Sequence, residues 1–220
     1  MTQCMCMIQF NTIYISNCDP ETPEVGTHEY VDLGLPSGLK WATCNVGATT
    51  PEDYGDYFAW GEVEPKTTYD WSTYKYGADW DQLTKYCTGS DYGKDGFTDN
   101  KTVLDPEDDA ATANWGGAWR MPTTAEQQEL INYCTWDWTT QNGVNGYKVT
   151  GPNGNSIFLP AAGYMGAGAL NDAGSYGYYW SSSLSTDYPD GAYNVIFCSD
   201  NVGWYGSGRC CVKSVRPVCQ

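Results

Sequence analysis

The side chains that could perform catalysis in this chain are one histidine, ten cysteines and a surplus of carboxylates. His28 is the only histidine, so neither a histidine-based triad nor a histidine pair on a metal ion can form. No two cysteines have the Cys-x-x-Cys spacing of zinc ribbons and redox motifs, and the adjacent Cys210 and Cys211 match no known pairing pattern. The sequence therefore predicts no catalytic residue, and a protein that is not an enzyme.

The carboxylates are numerous, but their spacing singles out no reacting pair. Pro106 opens a predicted helical turn, where acidic side chains complement the helix dipole; those flanking it are Asp105, Glu107, Asp108 and Asp109. The segment from Asp91 to Thr102 resembles an EF-hand calcium loop. However, its third position is Gly93, and its twelfth is a threonine instead of the bidentate glutamate. We expect no metal ion and no cofactor.

The strongest functional signal lies in residues 179–218, where positions with a structural pattern alternate with chemically arbitrary ones. Val195 and Phe197 follow the period of two that a strand with one buried face requires, so Asn194, Ile196 and Cys198 should point the other way. A regular core face combined with an arbitrary outer face is typical of a scaffold that displays changeable side chains. The predicted displayed positions, expected to form one contiguous exposed face, are Tyr188, Asp190, Gly191, Ile196, Cys198, Gly203, Tyr205, Gly206, Ser207, Gly208, Cys210, Cys211 and Val212.

Charge and hydropathy exclude two classes of partner. The formal net charge is −16, and the 11 Lys and Arg residues form no cluster, which argues against binding to nucleic acid or to an anionic membrane surface. No apolar run is long enough to span a bilayer. Aromatic residues make up 15% of the chain and there are 25 glycines, which fits a loop-rich fold with an aromatic core.

The elements that must position these residues are short. We expect a leader and linker at 1–27 and a single domain at 28–220. Two strands should flank the turn at residues 36–38, a hairpin should pair 146–150 with 156–160, and a capping box from Thr123 to Glu126 should start a helix that ends near Cys134. An irregular insertion at 65–105 should be anchored by Trp71, Trp80 and Tyr86. Together with a helical turn at 105–114, these elements predict an α+β fold.

Six motifs in order resemble the "succinogenes major paralogous" domain, a set of bacterial surface or secreted proteins related to the C-type lectin and formylglycine-generating folds. They are YVDLGLPSGLKWATCNVG at 30–47, DYFAWGE at 56–62, DDAATANWGGAWRMPT at 108–123, LPAAG at 159–163, YWSSS at 179–183 and SVRPV at 214–218. The resemblance implies a C-type lectin-like fold with two modest helices, short antiparallel strands and long irregular loops. The enzyme branch of this fold binds copper through a spaced cysteine pair, which Cys198, Cys210 and Cys211 do not match.

Within that fold, residues 179–218 resemble the variable region of a protein diversified by a retroelement. Mutation of template adenines turns AAC codons into codons for any residue except Trp, Met, Lys, Gln and Glu. Every predicted displayed position obeys this restriction, whereas Trp204 and Lys213 do not and should belong to the framework. The resemblance implies that this surface binds an unidentified protein or glycan, with Tyr188 and Tyr205 as the main anchors.

A second interpretation remains open, in which the chain is a surface adhesin or carbohydrate-binding module of fixed specificity. Family resemblance implies a cell-surface or secreted location under either interpretation. Cys18, followed by Asp-Pro-Glu-Thr-Pro-Glu, resembles the lipidated cysteine of a bacterial lipoprotein, although residues 1–17 lack the basic region of a secretory signal.

Overall fold

The structure, a computed structural model, describes residues 28–166 and 168–220. The predicted leader and linker, with Cys18, lie outside the described residues. Two short helices and thirteen strands occur in the described residues, together with 3-10 turns at Trp71–Thr73, Lys94–Gly96 and Pro106–Asp108. In chain order they are β1 (Tyr30–Asp32), β2 (Lys40–Ala42), β3 (Phe58–Ala59), α1 (Ala110–Trp115), α2 (Thr124–Tyr133), β4 (Thr135–Gln141), β5 (Val144–Thr150), β6 (Ser156–Pro160), β7 (Tyr164–Gly166), β8 (Ala169–Asn171), β9 (Gly177–Leu184), β10 (Gly191–Cys198), β11 (Asn201–Gly208), β12 (Val212–Lys213) and β13 (Val218–Cys219).

The strands form four small antiparallel sheets, with the orders β1-β2-β13, β11-β10-β9, β3-β12-β7-β8 and β4-β5-β6. The last two strands pair with early ones, β12 with β3 and β13 with β2, so the C-terminal segment is fastened at its far end to the N-terminal part of the described chain. The predicted α+β class is confirmed at this level, with far more strand than helix. No helix of the described residues is long and apolar enough to cross a membrane.

Local sequence signals explain the elements that were predicted. The capping box of α2 forms as expected, because the Thr123 hydroxyl accepts the backbone N–H of Glu126, and the Glu126 carboxylate accepts the backbone N–H of Thr123 at 2.7 Å. Arg120 adds a bidentate pair to the same carboxylate, with N–O distances of 2.6 and 2.7 Å. The β1–β2 and β5–β6 hairpins are also confirmed.

One strand and one anchor differ from the predictions. Strand β4 was not predicted, although Trp136 and Trp138 alternate with polar residues in its sequence TWDWTTQ and the two-residue turn Asn142-Gly143 follows it. Both tryptophans pack against the ring of Tyr147. Tyr86 is fully buried and Trp71 half-buried, as expected of anchors. Trp80 is wrong as a buried anchor, because 47% of it is exposed.

A buried carboxylate holds the irregular insertion to the domain. The side chain of Asp108 is almost fully buried and pairs with Lys75 at 2.8 Å and with Lys85 at 2.6 Å. It also accepts hydrogen bonds from the hydroxyls of Tyr76 and Tyr86. Burial by itself would raise the pKa of Asp108, but these four donors outweigh it and hold the pKa well below its ordinary value.

Two hydrophobic clusters lie under the sheets. The first is built around Trp60 and Trp180, which are fully buried. The second contains Val195 and Phe197 of β10 together with apolar residues of β2, α2, β5, β6 and β13. Strands β9 and β10 therefore bridge the two clusters and hold the C-terminal sheet rigidly on the core.

Candidate ligand-binding surface at the C-terminal sheet

The C-terminal sheet is made of β9, β10 and β11, with β11 at its outer edge. Directly opposed residues of antiparallel strands point to the same face of a sheet. One face of the β10–β11 hairpin therefore contains the pairs Gly191–Gly208, Tyr193–Gly206, Val195–Trp204 and Phe197–Val202. The other contains Ala192–Ser207, Asn194–Tyr205, Ile196–Gly203 and Cys198–Asn201.

The predicted core face of β10 is confirmed. Val195 and Phe197 are buried, and the Phe197 ring lies 5.7 Å from the ring of Tyr179 and 5.3 Å from that of Tyr147. Asn194, predicted to point outward, is buried instead. Its side-chain amide donates to the carbonyl of Tyr205 at 2.8 Å and to the hydroxyl of Ser207 at 3.0 Å, which fastens β11 to β10.

A cavity of about 490 Å³ opens beside the first of these faces. Its floor contains three residues that have no side chain, Gly191, Gly206 and Gly208, and the loop from Ser185 to Asp190 closes one side. Aromatic rings and carboxylates complete the lining, which also includes Asp187, Tyr188, Tyr193, Trp204, Tyr205 and Ser207. The cavity exists because the glycines leave the space empty.

A second cavity of about 470 Å³ lies on the other side of Trp204 and Tyr205, which line both cavities. It is bordered by the polar and apolar side chains of Gln128, Ile131 and Asn132 on α2. Trp204 and Tyr205 are 44% and 45% exposed, so they form a ridge between two depressions. A ligand larger than either cavity could contact both sides of this ridge.

The glycines of this surface differ from those of the scaffold in what a side chain at their position would meet. A Cβ at Gly206 would find its nearest neighbour, Ser185 Oγ, at 3.8 Å, and one at Gly208 would find Cys211 Sγ at 3.9 Å. At Gly191 the nearest atoms lie at 3.4 Å, and at Gly203 the movable end of the Tyr205 side chain lies at 3.1 Å. None of the four has a positive φ. These positions can therefore accept a side chain.

Scaffold glycines in strands of the same domain cannot accept one. A Cβ at Gly177 of β9 would lie 2.0 Å from Phe197 Cζ, and one at Gly146 of β5 would lie 2.3 Å from the carbonyl oxygen of Leu159. Such separations are far inside van der Waals contact. Gly177 and Gly146 are therefore required by their packing, whereas the four glycines of the candidate surface are not.

Ten of the thirteen positions predicted for display lie on the sheet or on its adjoining loop. Tyr188, Tyr205 and Gly206 are exposed, and another five are half-buried at the surface of the sheet and its adjoining loop: Asp190, Ile196, Cys198, Gly203 and Ser207. Gly208 is also half-buried and lies on the cavity floor with the buried Gly191. The expectation of one contiguous exposed face is wrong, because the register divides these positions between both faces of the edge strand.

Three of the predicted positions belong to the interior or its border. Val212 is fully buried, since β12 pairs with β3 and β7 on its two sides. Cys210 and Cys211 are half-buried and pack against the first hydrophobic cluster. Val212 is therefore a core residue, and the reason sequence reasoning missed it is that a two-residue strand shows no periodicity.

Four residues that line the first cavity were not predicted for it: Ser185, Asp187, Tyr193 and Trp204. Tyr193 shares the parity of the buried Val195 and Phe197, but it is only half-buried and lines the cavity. Trp204 was assigned to the framework, yet it is exposed at the edge of the sheet. Asp187 adjoins the predicted Tyr188, and that proximity was the available signal.

Lys213 and the cysteine pair adjoin the sheet without lining either cavity. Lys213 is buried, with Nζ 4.9 Å from the ring centre of Tyr178 and 4.8 Å from that of Trp180. Burial lowers the pKa of Lys213 to about 8. Hydrogen bonding with Cys210 and the charge of Lys213 lower the pKa of the Cys211 thiol, although burial opposes them.

The other candidates for chemistry also have structural partners. His28, expected to be a solvated surface residue, instead stacks on Trp115 with ring centres 3.7 Å apart. Asp105, Glu107 and Asp108 lie close enough together to hold a metal ion, but Lys85 pairs with all three of them. In the EF-hand-like segment, Asp99 accepts the backbone N–H groups of Tyr86, Cys87 and Lys101.

Comparisons with protein-family models, curated proteins and solved structures found no match. Arguments about function therefore rest on the geometry of the C-terminal sheet and its cavities.

Proposed function

We propose that this protein binds ligands through its C-terminal sheet, and that a retroelement diversifies the exposed residues of that surface. The observation that carries the proposal is the difference between the two sets of glycines. Gly191, Gly203, Gly206 and Gly208 have room for a side chain and an ordinary backbone conformation, whereas Gly177 is held by its packing. Random mutation of displayed positions would sometimes produce glycine at places where neither the backbone conformation nor the packing requires it.

The architecture supports this proposal in a second way. The core face of β10 and the buried Asn194 fix the backbone of β11, while every residue of β11 is exposed or half-buried. Changes on such an edge strand cost little stability because few of its side chains pack inside the protein. The protein would act as a binding protein and not an enzyme, with residues 28–220 forming one C-type lectin-like domain displayed at the cell surface.

The nucleotide sequence tests the retroelement part directly. Codons for the exposed positions between Tyr188 and Cys211 should end mainly in C, and an adenine-rich near-copy of this segment should lie close to a reverse transcriptase gene. The codon for the buried Val212 should match the near-copy. Absence of the near-copy would refute diversification and leave a binding surface of fixed specificity.

A second candidate function, supported by the exposed Trp204, is a carbohydrate-binding module of fixed specificity. Trp204 and Tyr205 present aromatic surface on the ridge between the cavities, and such surfaces stack on sugar rings. Glycan-array binding that is lost in Trp204→Ala and kept in Trp80→Ala, a similarly exposed tryptophan outside the ridge, would support it. Absence of glycan binding would count against it.

A further inference from the structure

The chemistry of the first cavity narrows the class of ligand. Its walls include four aromatic side chains, and the rings of Tyr193 and Trp204 stand nearly perpendicular, with centres 5.2 Å apart and an interplanar angle of 81°. The Tyr193 hydroxyl is held at 2.9 Å from Thr186 Oγ1, which fixes this ring. The two rings are therefore in edge-to-face contact with each other. A cation would lie against the parts of the aromatic lining that face the cavity, because the face of an aromatic ring is negative.

Two carboxylates of the same cavity lack a partner of opposite charge. Within residues 28–166 and 168–220, neither Asp187 nor Asp190 has a salt bridge or a side-chain hydrogen bond, and no Lys or Arg lines the cavity. Arg209, which follows the cavity floor in sequence, is buried and donates to the carbonyls of Lys85 and Tyr86. The chain as a whole has a net charge of −16. The field in the cavity therefore favours a cation and disfavours an anion.

The shape of the surface indicates that this cation belongs to a larger molecule. The second, uncharged cavity lies directly across the ridge of Trp204 and Tyr205, so a free small cation would use only half of the concave surface. An extended polypeptide could place a basic side chain in the first cavity and continue over the ridge into the second.

We propose that the first cavity binds an arginine or lysine side chain of a protein ligand, held against the aromatic lining and paired with Asp187 and Asp190. This inference rests on the proposed ligand-binding function and specifies its chemistry. A guanidinium group satisfies the site best, because it stacks on aromatic rings and pairs with carboxylates in the same plane.

The test compares two blocked tripeptides, Gly-Arg-Gly and the same peptide with citrulline, which is nearly isosteric and uncharged. Binding is measured by saturation-transfer NMR at low salt. We expect the arginine peptide to bind about tenfold more tightly, the combined effect of one cation–π contact and one weakly screened ion pair. Equal binding of the two peptides would overturn the proposal, and a glycan that binds in their place would assign the cavity to sugars.

Matched variants distinguish binding of the arginine peptide in this cavity from nonspecific attraction of a cation to an acidic protein. The double variant Asp187→Asn/Asp190→Asn should lose the preference for arginine, whereas Asp137→Asn/Asp200→Asn, which removes two charges from exposed positions outside the cavity, should keep it. Equal losses in both would show attraction to net charge only and would refute the site.

A third variant tests occupancy of the cavity without changing its charge. Gly206→Leu should fill the space over the cavity floor and abolish binding of the arginine peptide, with the unfolding temperature recorded to confirm that the variant folds. Unchanged binding would refute the site.

A small cation tests whether the ligand is a polypeptide. If methylguanidinium bound as tightly as the arginine peptide, the proposal that the bound cation belongs to a protein ligand would be wrong. Failure of these tests would leave the codon and near-copy test of diversification unaffected, so the two proposals can fail separately.

Discussion

The contrast between Gly206 and Gly177 gives the most decisive stability prediction. Both glycines lie in strands of the same sheet, β11 and β9, and neither has a positive φ. Gly206→Ala adds a Cβ whose nearest neighbour is 3.8 Å away, so it should stabilise the protein by about 0.5 kcal/mol through the lost entropy of the unfolded chain. Gly177→Ala places a Cβ 2.0 Å from Phe197 Cζ.

The Phe197 ring has little freedom to move away from such a methyl group. It is buried, with the rings of Tyr147 and Tyr179 at 5.3 and 5.7 Å. Overpacking of this kind costs about 1–3 kcal/mol, so the two alanine variants should differ by about 1.5–3.5 kcal/mol. For a chain of this size, that corresponds to a difference of roughly 3–14 °C in unfolding temperature.

The assay is urea unfolding followed by tryptophan fluorescence, with circular dichroism as a second probe. Equal destabilisation by the two substitutions would refute the reasoning, because it would mean that Gly206 is required by the scaffold. The proposed display function would then lose its principal support.

Three further predictions concern polar side chains that are buried or that cap a helix. Asp108→Asn should destabilise the protein by about 1–3 kcal/mol at pH 7, because it removes the partner of Lys75 and the buried partner of Lys85, which keeps Asp105 and Glu107. Since the folded-state pKa of Asp108 is lowered, the wild-type advantage should be complete above about pH 4 and disappear as the pH falls through the folded-state pKa, as acid titration of the unfolding free energy will show. Lys213→Met should stabilise the protein by about 1–3 kcal/mol at pH 7, because it removes a buried charge. The pKa of Lys213 is lowered to about 8 from 10.5, so this gain should be complete below pH 8 and shrink as the pH rises from 8 toward 10.5; a gain that grew with pH would contradict the assignment. Thr123→Ala should cost about 1 kcal/mol through loss of the α2 cap, and an unchanged urea midpoint would argue against that role.

Much of the fold could be predicted where a short stretch of sequence carries its own signal. The capping box at Thr123, the two predicted hairpins and the core face of Val195 and Phe197 depend on residues within a few positions of each other. Strand β4 was missed although its signal is also local, because Trp136 and Trp138 alternate with polar residues and the two-residue turn Asn142-Gly143 leads into β5. The C-type lectin-like architecture remains a proposal.

The sequence predicted which segment contains the candidate site, but not which residues of that segment share a face. Ten of the thirteen predicted positions line the cavities or lie exposed or half-buried on the sheet away from the core, among them Tyr188, Gly206 and Tyr205. Their division between two faces, and the burial of Val212, depend on which strand pairs with which. Sequence distance gives no information about such pairing.

By itself, the sequence determined that this chain has one histidine, no spaced metal-binding cysteine pair, a strongly negative charge and an arbitrary set of residues near its C-terminus. These are properties of composition and local spacing. Only the tertiary structure decided which members of that set face solvent and which glycines could accept a side chain. It also brought Asp187 and Asp190 beside the aromatic rings, because the β10–β11 register and the adjoining loop place residues up to 23 positions apart, from Ser185 to Gly208, around one cavity.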